Sequence, residues 1–65
     1  MHEKVLEYIM YNWLYSHQDL IELLHFRFGI KPKEASKIIN ELVKRGYLKV
    51  IRLERKGTKY YLRIQ

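Results

Sequence analysis

The chain of 65 residues has no cysteine, one proline, one tryptophan and three glycines. Without cysteine there are no disulfides and no cysteine-based zinc site. The three glycines are isolated, which excludes a glycine-rich phosphate loop. No stretch approaches the ~20 consecutive apolar residues of a membrane span. Met1-His2-Glu3-Lys4 has neither the basic start nor the apolar stretch of a signal peptide, so a cytoplasmic setting is the expectation. What is present is a globular composition, 48% hydrophobic and 31% charged. The length allows one domain, spanning 1–65. A domain this small hides only about 60% of its unfolded surface. Without staples it needs a tightly packed core, a partner chain, or both.

Charge is unevenly placed. Residues 1–30 carry Lys4 and Arg27 against Glu3, Glu7, Asp19 and Glu22, a net of −2. Residues 31–65 carry eleven Lys and Arg against Glu34, Glu41 and Glu54, a net of +8. A half-chain that basic attracts polyanions.

The spacing predicts a first helix over 3–15, with Val5, Leu6, Ile9, Met10, Trp13 and Leu14 on one face. Tyr8, Tyr11 and Tyr15 fall on the other face. A helix aromatic or apolar nearly all round is buried on more than one side, so these three tyrosines are candidates for a homodimer interface through helix 3–15. Ser16, with Asp19 three residues on, reads as a capping box opening a second helix over 17–27. Leu20, Leu23 and Leu24 point inward there, extended by Ile21, Phe26 and Phe28. Gly29 is its stop.

Lys31-Pro32 starts a third helix, 31–45. Ala35, Ile38, Ile39, Leu42 and Val43 make an uninterrupted apolar stripe. Lys33, Lys37, Asn40 and Lys44 fall within about 60° of one another on the opposite side, with Ser36 at their border. Glu41 can pair with Arg45 one turn on, and Gly46 ends the helix. Residues 47–54 alternate as a strand. The alternation slips at Val50-Ile51, as it would at a bulge. A turn at Arg55-Lys56-Gly57-Thr58 leads into a second strand, in which Tyr60, Leu62 and Ile64 share one face and Tyr61, Arg63 and Gln65 the other. The expected fold class is therefore α+β, three helices followed by a two-stranded β-hairpin that must pack on them.

That order, and above all Glu34 to Val50 with Leu42, Gly46, Tyr47 and Leu48, resembles the winged helix-turn-helix family, and within it the small stand-alone winged-helix proteins of archaea and their viruses. The setting would then be the host cytoplasm if the protein is viral. The resemblance covers nearly the whole chain. It departs at His25-Phe26-Arg27-Phe28, which lengthens the link between helices two and three. It implies a double-stranded DNA-binding transcription regulator, reading the major groove with helix 31–45 and the backbone or minor groove with the 54–59 wing. The residue chemistry agrees: Ser36, Lys37 and Asn40 are base-edge candidates, and Lys33, Lys44, Arg55, Lys56 and Lys59 are phosphate candidates. Lys49, Arg52 and Arg63 fit solvated strand positions equally well, and Arg63 could lie on Tyr61 as a cation–π pair.

The alternative is a protein-interaction winged-helix adaptor in a larger assembly, docking through Tyr8, Tyr11 and Tyr15 with Phe26 and Phe28. A third reading, a left-handed-DNA or RNA reader, has Lys37 and Asn40 in its favour but lacks the proline-rich wing. Catalysis is not expected. His2, His17 and His25 have no ligand or acid–base partner at a working spacing, and Ser16 and Ser36 have no base in pattern. No cofactor or metal is expected.

Overall fold

The structure, a computed structural model, describes residues 2–53 and 58–65. Its elements are α1 (His2–Glu7), β1 (Leu14–Ser16), α2 (His17–Phe28), α3 (Pro32–Lys44), β2 (Leu48–Leu53) and β3 (Thr58–Arg63). Three helices accompany one antiparallel sheet of order β1-β3-β2. The fold is thus α+β, but the sheet has three strands where a two-stranded hairpin is expected from the sequence.

The third strand comes from the region the sequence assigns to the first helix. α1 stops at Glu7, and the chain then turns through Asn12, whose φ of 59° is left-handed. Three forces end the helix early. Tyr8 to Trp13 is aromatic and branched, poor helix-forming material. Arg63 reaches back and donates to the carbonyls of Leu6 and Ile9, satisfying acceptors that a longer helix would have used. Finally, Leu14–Ser16 finds ladder partners in β3, with Leu14 opposite Leu62 and Tyr15 opposite Tyr61.

The expected tyrosine stripe is accordingly broken up. Tyr15 is only 8% exposed and packs in the core, its hydroxyl accepting the Met10 amide at 3.0 Å. Tyr8 and Tyr11 remain exposed. Met10, Trp13 and Leu14, expected inward, are exposed instead.

α2 starts at the predicted cap. Ser16 Oγ accepts the Asp19 amide at 3.0 Å, and the Asp19 carboxylate accepts the Ser16 amide at 3.2 Å. Helix geometry continues through Phe28 and ends at Gly29, which has φ of 68°. The segment His25–Phe28 is therefore helical, and the link to α3 is short rather than long. Phe26, expected to extend the inner face, is 80% exposed.

α3 follows its sequence reading closely. Pro32 opens it, Ala35, Ile38, Ile39 and Leu42 are buried, and Val43 packs against them half-buried. Gly46, at φ of 84°, turns the chain toward β2. β2 and β3 pair without a break from Leu48–Arg63 to Leu53–Thr58, so the slip at Val50-Ile51 is no bulge. Both faces of the strand are simply apolar there. The core gathers Val5, Leu6 and Ile9 of the N-terminal segment, Leu20 and Leu24 of α2, the α3 stripe, and Tyr15, Leu48 and Tyr61 from the sheet. Among the described residues no helix is long and apolar enough to cross a membrane.

Candidate nucleic-acid interface

Burial of one α3 face dictates what the other shows. With Ala35, Ile38, Ile39 and Leu42 in the core, Lys33, Lys37, Asn40 and Lys44 are all exposed on the reverse side. From Lys33 to Lys44 this ridge is about 16 Å long at the helical rise. The acids of α3 border it on one flank, beside Lys37. Glu41 is held by Arg45 in an ion pair of 3.0 Å, and both line a shallow side depression with Glu34, Lys37 and Ile38. The ridge itself therefore carries only cations and one carboxamide.

Ser36 is separated from that group. It is half-buried, with its hydroxyl 3.2 Å from Nε2 of His17. The other ring nitrogen, Nδ1, lies 3.2 Å from the Tyr61 hydroxyl. One imidazole thus bridges α3 to β3 from the first residue of α2. Each hydroxyl can donate or accept, so the row is satisfied with either neutral tautomer and with the protonated ring. Sequence spacing gave no sign of this, since the three residues come from three elements. His25 also has a local partner, its Nδ1 donating to the Ile30 carbonyl at 3.3 Å.

The strands add cations on two sides. Arg52 and Lys59 lie opposite each other across the β2–β3 ladder, both exposed. By alternation they share the sheet face of Tyr61. Tyr61 is buried, and burial raises its phenol above the ordinary value of 10.0 while the nearby Arg52 charge pulls it partly back. Lys49 is exposed on the reverse face. Arg52, which the sequence leaves undecided, thus joins Lys59 on the sheet face of Tyr61, whose hydroxyl meets His17 and, through it, Ser36. Arg63 stays away from this surface. Its guanidinium lies 4.3 Å over the Tyr11 ring, not on Tyr61, and bonds the carbonyls of Leu6 in α1 and of Ile9 just beyond it. Arg55 and Lys56, the phosphate candidates of the expected wing tip, lie outside the described residues.

Neither a protein-family model, a curated protein nor a solved structure matches the chain.

Proposed function

We propose that this protein binds double-stranded DNA as a transcription regulator of winged-helix type. Its α3 would lie in the major groove and the hairpin from Leu48 to Arg63 on the flanking backbone or minor groove. The observation that carries the reading is the α3 ridge, four exposed residues of which three are lysines and none is acidic. A single helix fits the major groove, and Asn40 and Lys37 have the donors and acceptors to read adenine and guanine edges. Lys33 and Lys44 at its ends, with Arg52 and Lys59, and with Arg55 and Lys56 from the sequence reading, would neutralise phosphates. Support for the winged-helix type comes from the order of elements: a short strand between the first two helices, then α3, then a hairpin. His17 acts in this reading as a brace that fixes α3 against β3, and Ser36 as its anchor on α3.

The test is an anisotropy titration of labelled duplex at several salt concentrations. With about five phosphates neutralised, log K falls against log salt with a slope near −4.5. The pair Lys37→Ala and Asn40→Ala lowers preference for a selected site over random DNA, whereas Lys56→Ala weakens all DNA about equally. Salt-independent binding, or no binding at low salt, sinks the proposal. The adaptor reading rests on a different observation, the exposed rings of Trp13 and Phe26. Capture of a protein partner by a chain that leaves duplex DNA alone would favour it.

A further inference from the structure

The Ser36–His17–Tyr61 row crosses three elements, and its two ends are not equivalent. Nε2 of His17 lies 3.2 Å from the Ser36 hydroxyl, and Nδ1 lies 3.2 Å from the Tyr61 hydroxyl. Among the described residues, the ring is the one hydrogen-bond partner that either hydroxyl has. Tyr61 is 3% exposed, whereas Ser36 is half-buried. A buried hydroxyl that accepts from the ring has nowhere to place its own proton, and an unpaired buried donor is costly. A half-buried hydroxyl that accepts can turn its proton outward. Acidity acts in the same sense, since a phenol is a stronger donor than an alkyl hydroxyl and a weaker acceptor. Burial, partly offset by the Arg52 charge, also holds the Tyr61 phenol above its ordinary 10.0, so the proton is there to give.

We infer that the row runs one way: Tyr61 donates to Nδ1, Nε2–H donates to Ser36 Oγ, and the Ser36 O–H is free to donate to a DNA phosphate. His17 is then a positioning residue, which ties back the oxygen of Ser36 and turns its hydrogen out. Electrostatics selects the acceptor. At 100° per residue, Ser36 lies about 60° to one side of Lys33, and Glu34 and Glu41 lie about 80–100° to the other. Both α3 acids are therefore on the far flank, where they line a depression with Lys37, Ile38 and Arg45. Lys33 and Asn40, each one turn from Ser36, are exposed. The sheet face of Tyr61 adds Arg52 and Lys59. Asp19, near the start of α2, is engaged, its carboxylate accepting the Ser16 amide. A short side chain held back by α2 reaches the wall of a groove rather than its floor, and the wall is phosphate. The phosphate rests on the duplex-DNA reading; the direction of the row does not.

Long-range proton–nitrogen spectra of the labelled full chain test the direction, with His17 assigned by its through-space contact to the Tyr61 ring. At about pH 8, where an ordinary imidazole is neutral, a bare Nδ1 and a protonated Nε2 are expected. A protonated Nδ1, or equal exchange between the two forms, overturns the inference. Anisotropy titrations test the phosphate contact. Ser36→Ala is expected to weaken duplex binding about fivefold, equally for a selected site and for random DNA. The slope of log K against log salt should not change, because a neutral donor releases no counterion. His17→Ala should cost about the same, and the double variant no more than either alone. A loss confined to the selected site makes Ser36 a base reader and overturns the phosphate contact. Additive losses in the double variant overturn it too. Salt-dependent binding that Ser36→Ala leaves untouched overturns this inference and spares the DNA reading. A chain that binds no duplex at low salt overturns the phosphate contact together with the DNA reading, while the ring spectrum decides the direction by itself. Should His17→Ala fail to fold by circular dichroism, Ser36→Ala and the ring spectrum decide.

Discussion

Arg63 joins residues from opposite ends of the chain. Its guanidinium donates to the carbonyls of Leu6 and Ile9, and it stacks on Tyr11. Charge-assisted bonds to helix-terminal carbonyls are worth more than neutral ones. Arg63→Met keeps the aliphatic stem and removes the donors. It is expected to lower unfolding free energy by about 2 kcal/mol, roughly 10 °C in Tm, as read by thermal denaturation. Tyr61 offers a second test at the level of one side chain. Its phenol is raised above 10.0, so the folded chain gives up that proton later than the unfolded one. The stability linked to it is complete below pH 10 and is lost as the pH climbs through the raised value. Denaturation midpoints should therefore hold steady to about pH 9.5 and then fall, more steeply in wild type than in Tyr61→Phe. The Tyr61–His17–Ser36 row could not be read from sequence, because hydrogen bonds between three elements leave no periodic trace. What sequence reading does find at Ser36 is its border position on the α3 wheel, which is where a residue turned toward a neighbouring element belongs.

Among the elements, α3 was legible from end to end. Its stripe has the 3.6-residue period, Pro32 and Gly46 punctuate it, and burial of one arc leaves the ridge no alternative but solvent. α2 was legible at its start, because a capping box is a local device. Ser16→Ala removes that cap and is expected to cost about 1 kcal/mol, seen as a lower midpoint in urea with an unchanged slope. Its end was placed almost as well by Gly29, although Phe26 does not turn inward. α1 and β1 were misread for a physical reason. Val5, Leu6, Ile9, Met10, Trp13 and Leu14 have helical spacing, but what decides their conformation is distant in sequence: the β3 ladder and the Arg63 donors. Tertiary partners override a local period when they satisfy the same backbone groups. The expected tyrosine stripe goes with that correction, because Leu14–Ser16 is a strand and Tyr15 lies in the core.

For the molecule as a whole, the sequence conveyed the α+β class, the cationic second half and most of the core, because these depend on composition and local pattern. It could not convey that Val50 and Ile51 face opposite solvents, one the core and one the surface, since consecutive apolar residues look the same as a register fault. Nor could it give the strand order. That order has a consequence for how the chain comes together. β3 is the strand latest in sequence, yet it lies at the centre of the sheet and, among the described residues, is the one ladder partner of β1. On a ribosome, α2 and α3 can form while the chain is still growing, because their bonds are local. Leu14–Ser16 must wait, unpaired, until Thr58–Arg63 has emerged. The last strand made is therefore the one that closes the structure, and the first helix acquires its Arg63 cap at the same moment.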